Sequence, residues 1–320
     1  MPTLRPNTNS PILTVTINPA LDVCTSTEVV VGEHKLRCSG SRVGPGGGGV
    51  NVARVVQRLG GQALALYSAG GVTGDAFRRL IEAEHVPSLA VPISGSTRES
   101  FTVDETSTGR QFRFVLEGPE LIESEWRAFL DLVDQSVPHH GFVVVSGSIP
   151  PGVPDDFYAR IVRLAHAHSA EVALDASGAV LAAALAEGVF LVTPSARELG
   201  DLLGHVLTTE ESRISAAQTL VSTGAAQHVA LTLGADGAVL ASADGVKRVS
   251  APSVSVQSTV GAGDSFLGAF VLRLAQGNAV PAAFRAAVAA GTATAMAPAA
   301  ELCRRADMER LERELNAQGD

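Results

Sequence analysis

Cysteine is scarce in this chain, and what there is lies scattered. Cys24, Cys38 and Cys303 form no C-x-x-C pair and leave an odd count. That excludes a disulfide scaffold and a thiolate zinc site, and it suits a reducing compartment. Aromatic residues make up only 4% of the chain, so the interior must be packed from Ala, Val, Leu and Gly, as in helices laid closely on a sheet. A surplus of positive charge is missing too. The formal net charge is −9, which argues against nucleic acid as the main partner, because phosphate-backbone binding needs a basic surface. A small anionic substrate stays compatible, since a few local Lys and Arg residues can hold one phosphate. No apolar run approaches bilayer length, the Ala-rich 179–187 segment included, so no membrane partner is expected. The opening MPTLRPNTNS lacks the apolar core of a secretory signal, and residues 1–11 read as a disordered tail. These absences predict a soluble cytoplasmic protein.

Two nucleotide fingerprints are also missing. There is no G-x-x-x-x-G-K-[ST], which excludes an ordinary P-loop. In GAGDSFLG (261–268) Phe266 stands where G-x-G-x-x-G requires its third glycine, so a dinucleotide site is disfavoured.

What the chain does contain is alternation of short apolar runs and helical patterns. ILTVTIN (12–18), ALALYSA (63–69), GFVVVSG (141–147), EVALDAS (171–177), VFLVTP (189–194) and HVALTLG (228–234) read as strands. Between them lie helical patterns over 49–60, 74–85, 155–168 and 178–187. In the first, Val52, Val55, Val56 and Leu59 repeat with helical period, and Arg54, Gln57 and Arg58 occupy the other side. Repeated β-α-β units predict a three-layer α/β/α domain around a mainly parallel sheet. Residues 22–45 and 96–118 break the rhythm with short alternating segments, STEVVVG, KLRCS, ESFTVDE and RQFRFVL, and no helix between them. They predict a small antiparallel sheet inserted as a lid, leaving 12–21, 46–95 and 119–320 as the major domain.

Two glycine-rich stretches carry the chemistry. In STVGAGDSFLGAF, Gly261 and Gly263 precede an almost wholly apolar helix predicted over 262–276. Uncapped N–H groups and the positive dipole end make such a helix start an anion site. Asp264 then sits beside any bound anion. Composition and spacing leave it between two roles: complementing the dipole, or accepting a proton while the amides stabilise a transferred phosphoryl group. In VGPGGGGVNVAR, Gly46 to Gly49 let the backbone approach a ligand closely and Asn51 offers a two-sided amide. Ordering four glycines is costly in entropy, which favours a ligand contact over a merely flexible loop. Lys35, Arg37, Arg98, Arg110 and Arg113 cluster in the inserted strands. Arg110 reads as a solvated strand residue, and the others together could clamp a sugar phosphate. Asp22 taken alone reads as a turn residue, though it could accept bonds from sugar hydroxyls. The His139-His140 pair has no partner at metal-ligand spacing and reads as exposed loop.

These elements, in this order, resemble the ribokinase/PfkB family of ATP-dependent sugar kinases over about residues 12–315. PGGGGVNVAR followed by AGGVTGD is similar to the family's N-terminal signature, and STVGAGDSF to its C-terminal one. Within the family the likeness is to 6-phosphofructokinases of the minor-isozyme type. It is carried by KLRC (35–38), TRESFTV (97–103), SGSIPPGV (146–153), LDASG (174–178) and QSTVGAGDS (257–265). The resemblance implies phosphorylation of fructose 6-phosphate at its C1 hydroxyl, with ATP and Mg²⁺ and with dimerisation through the lid. Tagatose 6-phosphate or fructose 1-phosphate are the nearest alternative acceptors, and a non-catalytic sugar-phosphate sensor is a further reading. It implies Asp264 as base, and Gly261, Ala262 and Gly263 as the anion hole. Asp22, Gly47, Gly48, Asn51 and Ser148 would contact the sugar, with Lys35, Arg98 and Arg113 near its phosphate. On the nucleotide side it implies Thr193, Ser195, Glu198, Thr232, Gly234, Gly237 and Thr259. Glu198 would organise Mg²⁺ through water, and Ser258 and Val260 would lie near a monovalent cation, K⁺. Two stretches depart from the family pattern. TPSARE (193–198) has Thr193 and Ser195 where the family tends to Lys and Asn, and MAPAAELC (296–303) replaces a Gly-containing segment.

Overall fold

The computed structural model describes residues 10–318. β1 (Ile12–Thr16) leads into β2 (Ala20–Thr27), and β3 (Ser39–Gly46) into α1 (Gly48–Arg58). Next come β4 (Leu64–Ala69), α2 (Gly71–Ala83), β5 (Ser88–Pro92), β6 (Arg98–Glu105), β7 (Gln111–Val115) and α3 (Glu123–Ser136). β8 (Phe142–Ser146), α4 (Phe157–Ala167), β9 (Glu171–Asp175), α5 (Gly178–Leu185) and β10 (Val189–Val192) continue the alternation. After α6 (Ala196–Leu203) and α7 (Glu210–Ser222) come β11 (Ala226–Thr232), β12 (Ala238–Ser242) and β13 (Gly245–Val249). The chain closes with α8 (Ala262–Ala275), α9 (Val280–Ala295) and α10 (Arg305–Gln318).

Nine strands form the main sheet in the order β13-β12-β11-β10-β9-β8-β1-β4-β5, parallel from β5 to β11 and antiparallel at the β12–β13 end. The FVVVS run of β8 is buried along its whole length, as a strand covered on both faces must be. Successive side chains serve opposite layers. Val144, Ala173, Leu191 and Ala230 pack with residues of α1, α2, α8, α9 and α10. Val143, Val145, Val172 and Leu174 pack with residues of α3 to α7. The first layer is tightest where α8 meets its neighbours. Phe266, Phe270 and Phe284 meet with ring centroids 6.0 to 6.1 Å apart. At Gly268 a Cβ would come within 2.9 Å of Val55 Cγ1, so the missing side chain is what lets α8 lie close on α1.

The chain runs from β1 outward to β4 and β5, then returns to place β8 on the other side of β1. A crevice opens beyond the carboxyl ends of the strands at such a reversal, and ligands bind there. Four further strands, in the order β3-β2-β6-β7, make a second sheet at this end. Its outer pairings are antiparallel as expected, but β2 and β6 run parallel, so the sheet is mixed. The reason is connectivity: β1 and β5 are parallel members of the main sheet and feed β2 and β6 by short links in the same direction. Residues 28–38 form no strand, contrary to the pattern in STEVVVG and KLRCS. β3 takes its register instead from the glycine-rich end, where Gly46 pairs with Ala20. Of the tail expected over 1–11, residues 1–9 lie outside the described residues. Ser10 and Pro11 are bonded in place, the Ser10 amide to Ala275 O at 2.9 Å and the Phe142 amide to Pro11 O at 2.9 Å. Among the described residues no helix is long and apolar enough to cross a membrane.

Candidate active site

The two glycine-rich loops meet at the crevice. α1 starts at Gly48 and brings Asn51 into its first turn, while α8 starts behind Gly261, whose φ of 80° a residue with a side chain would adopt only with strain. Asp264 lies in the first turn of α8, and Asn51 Nδ2 donates to its Oδ2 at 2.8 Å. Burial pushes the Asp264 carboxyl above its ordinary range, and the Asn51 bond with the Arg113 and Arg54 charges draws it part of the way back. The Ala262 amide is turned onto Thr259 O at 3.2 Å. It is therefore not free to serve the anion hole expected of residues 261–263, whereas the Gly263 amide has no acceptor among the described residues.

Asp22 stands on β2 opposite Gly44. Gly46 leaves room for the Asp22 carboxylate, which a Cβ there would displace. Burial lifts Asp22 to about 6, Arg54 opposing the rise and Asp264 adding to it. Gly47 adopts φ 112° and leads into α1. A Cβ on Gly48 would strike Ser146 at the end of β8. Ser148, two residues further on, accepts from Asn18 Nδ2 at 3.1 Å. These residues therefore converge on one crevice.

The cations do not behave alike. Arg98 donates to Leu116 O at 3.0 Å and to Asn18 O at 3.1 Å, so carbonyls hold two of its nitrogens. It lines an open cleft of about 570 Å³ together with Asn18 and Ser148. Arg113 on β7 is exposed, yet its charge reaches both Asp22 and Asp264. Lys35 lies on the exposed 28–38 segment and bonds to no other described residue. Arg110, expected to be merely solvated, pairs with the buried Glu105 at 2.9 Å. His139 and His140 are exposed as expected, and no cluster of three or more His, Cys, Asp or Glu among the described residues could hold a metal.

On the other side of α8's first turn is a cavity of about 440 Å³. Thr232, Gly234, Gly237, Thr259, Ala262 and Gly263 line it, with Phe266, Val288 and Ala295 behind. Gly234 and Gly237 take φ 61° and 94° around a short 3₁₀ turn after β11. Thr193 follows β10 and is buried, and Ser195 pairs with Thr232 across an isolated bridge. The departure SARE has a structural reading: Ser195 caps α6. Its Oγ accepts from the Glu198 amide at 3.2 Å while Glu198 Oε2 accepts from the Ser195 amide at 2.8 Å and hydroxyl at 2.7 Å. S-x-x-E before a helix is the capping-box pattern, a signal present in the sequence. Ser258 is buried and its Oγ accepts from the Val260 amide and from Gln111 Nε2, both at 3.2 Å, so β7 reaches the loop before α8.

Sequence reasoning missed Asp175. It ends β9, accepts from Ser146 Oγ at 3.2 Å, and is raised to about 7 by burial with the Asp264 and Glu198 charges adding. A lone acid at the carboxyl end of a buried parallel strand was the available signal. Arg54, read as lying on the polar side of α1, is buried, 4% exposed, against the Glu84 carboxylate.

Comparison with known proteins follows this geometry. The pfkB family carbohydrate kinase model matches residues 19–306. The ATP-dependent 6-phosphofructokinase isozyme 2 of Mycobacterium tuberculosis (strain ATCC 25618 / H37Rv) is 42% identical over 299 residues, covering 93% of this chain and 88% of that one. Its Escherichia coli (strain K12) counterpart is 38% identical over 301 residues, covering 94% and 97%. The crystal structure of Escherichia coli phosphofructokinase-2 in complex with fructose-6-phosphate superposes with a TM-score of 0.91 at 37% identity, over 96% of this chain and 99% of that one. Since the family match runs through both glycine-rich loops and the strands between them, the chain belongs to the pfkB family of carbohydrate kinases.

Proposed function

We propose that the protein transfers the γ-phosphoryl group of ATP to the C1 hydroxyl of fructose 6-phosphate. The observation that carries this reading is the Asn51–Asp264 contact at 2.8 Å, made where the sugar-side crevice and the 440 Å³ cavity adjoin at the start of α8. Asp22, Asn51, Ser148 and the backbone at Gly47 and Gly48 hold the sugar, with Arg98 and Arg113 towards its phosphate. Asp264 takes the C1 hydroxyl proton as the oxygen attacks the γ-phosphorus and the bond to the β-phosphate oxygen breaks. The amides of Gly261 and Gly263 stabilise charge on the transferred group. Thr232, Gly234, Gly237 and Thr259 seat the nucleotide. The lid, residues 22–45 and 96–118, closes on the major domain of 12–21, 46–95 and 119–320 and keeps water out.

The acidic groups here suit a hard divalent cation, since the Glu198 charge reaches Asp175 and both carboxylates offer oxygens only. Asp175 and the Glu198 oxygen not used by Ser195 would hold Mg²⁺, Glu198 through water. Bound there, Mg²⁺ would neutralise triphosphate charge. Near Ser258 and Val260 the hydroxyl is already engaged, which leaves backbone carbonyls as donors for K⁺. The lid exposes Val43, Phe114 and Val115 on its strands and Val29 and Val31 on the adjoining 28–38 segment, a surface suited to pairing two lids into a homodimer. The expected location is the cytoplasm.

The test is ADP release with a panel of sugars and sugar phosphates, including fructose 1-phosphate and tagatose 6-phosphate. Fructose 6-phosphate should give the highest kcat/KM, and Asp264→Asn should lower kcat by about 10³-fold or more with KM little changed. A preference for unphosphorylated sugars, or near-normal turnover of Asp264→Asn, would sink the reading.

A further inference from the structure

Behind Asn51 lies a chain of polar contacts that the phosphoryl transfer itself does not require. Asn51 uses both ends of its amide: Nδ2 donates to Asp264, and Oδ1 accepts from Arg54 Nη1 at 2.9 Å. The same Arg54 nitrogen donates to Pro45 O at 2.7 Å, on the strand that enters the glycine loop. The rest of the guanidinium is gripped from below, where Nε donates to Glu84 Oε2 at 2.9 Å and Nη2 pairs with Oε1. Arg58 reaches the same carboxylate more loosely, at 3.4 Å. Arg54 has a side chain only 5% exposed, and Glu84, which closes α2, is 26% exposed.

A buried arginine is expensive unless its donors are satisfied in a planar array, and the bidentate carboxylate supplies that array. Burial opposes the charge on Glu84, yet the bonds and charge of Arg54, joined by Arg58, hold its carboxyl below the usual range. Held by this fork, the guanidinium can fix the Asn51 amide in one orientation. An unanchored amide could rotate and present Oδ1 to Asp264, a repulsive contact between two acceptors.

We propose that Arg54 and Glu84 are positioning residues: together they lock the Asn51 amide, and through it the carboxylate of Asp264, in the orientation that receives the acceptor's proton. The inference rests on the reading of Asp264 as base. Neither residue is among the groups assigned to the substrate, and because Asn51 also holds the sugar, their removal lowers kcat more than it raises KM for the sugar phosphate.

The experiment is steady-state kinetics of Glu84→Ala, Glu84→Gln, Arg54→Lys, Arg58→Ala and Asp264→Asn, with the double variant Glu84→Ala/Asp264→Asn. Glu84→Ala should lower kcat about tenfold while both KM values stay within about twofold, the cost of one loosened contact in the transition state. Glu84→Gln, whose amide oxygen still accepts from Arg54, should recover part of that loss and keeps the packing if the alanine variant fails to fold. Arg54→Lys keeps the charge but cannot span Asn51, Pro45 and Glu84, and should fall at least as far as Glu84→Ala. Arg58→Ala, which leaves the Arg54–Glu84 fork intact, should turn over near the wild-type rate. The double variant should be no slower than Asp264→Asn, because the relay acts only through the base. Normal kcat in Glu84→Ala, an effect confined to KM, an equal loss in Arg58→Ala, or additivity in the double variant overturns the relay while leaving Asp264 as base. An active Asp264→Asn overturns the base reading, and the relay with it.

Discussion

Replacing Asp175 with Asn should stabilise the ligand-free protein, and by an amount that grows with pH. The carboxyl is raised from an ordinary 3.8 to about 7 by burial, with the nearby Asp264 and Glu198 charges adding to it. A carboxyl raised in the folded state binds its proton more tightly folded than unfolded. Stability from this group is therefore lost as pH rises from about 4 to about 7, and stays lost above. At 1.36 kcal/mol per unit, the penalty is about 4 kcal/mol at pH 8 and about 2 kcal/mol at pH 5. Asp175 keeps an edge open to the crevice, and solvent there trims the change between the two pH values to about 2 kcal/mol. The neutral variant does not titrate at this position, and any fixed packing cost of the amide cancels between the two conditions. Urea unfolding of both proteins at pH 5 and pH 8, in metal-free buffer and followed by two probes, measures the quantity directly. The gap in unfolding free energy, Asp175→Asn minus wild type, should widen by about 2 kcal/mol towards pH 8. A gap that stays constant within about 0.5 kcal/mol refutes the claim that Asp175 is held at an unfavourable, function-bearing charge. The same variant should lose turnover, because the charge that weakens the fold is the one proposed to hold Mg²⁺.

Other outcomes follow from the packing. Gly46→Ala drives a methyl group into the Asp22 carboxylate, so KM for the sugar phosphate should rise about tenfold while KM for ATP holds, as two-substrate initial rates will show. Ser195→Ala removes the hydroxyl that caps α6 and bonds Glu198; it should cost about 1 kcal/mol in urea unfolding and raise KM for Mg-ATP about threefold. Phe270→Ala empties the contact among Phe266, Phe270 and Phe284 and should destabilise the fold by about 3 to 5 kcal/mol in the same assay.

Much of this was written in local pattern. The glycine runs, the apolar helix behind Gly261 and the β-branched run at 142–146 pointed to the crevice and to Asp264, because backbone freedom and periodicity are local properties. Residues whose meaning depends on distant partners were not legible. Periodicity placed Arg54 on the polar side of α1, but nothing near it in the sequence shows that Glu84, 30 residues away, covers that side. Asp175 looked ordinary because its environment is made by Asp264 and Glu198, brought together only by the sheet order. The strand pattern at 35–39 failed for a related reason: alternation signals capacity to pair, while the register set at Gly46 decides which segment does so. SARE was different, since its capping box could be read directly, and comparison with the family's Lys and Asn at these positions obscured it.

The parallel pairing of β2 with β6 has a mechanical consequence. The small sheet joins the body at four places: β1 to β2, β3 to α1, β5 to β6 and β7 to α3. Movement of a plate attached at four points is shared among all four connections rather than carried by one. One of those connections is the Gly46–Gly49 run itself, and another passes Thr97 and Arg98. Any tilt of the plate would thus be felt at the backbone proposed to contact the sugar on one side and at Arg98, proposed to face its phosphate, on the other. The proposed base sits on a helix that lies close on α1 at Gly268. Arg54 also ties Pro45 on β3 to Asn51 and so to Asp264, which means that exchanging strands of the plate to alter the proposed acceptor site would bear on the aim of the carboxylate as well.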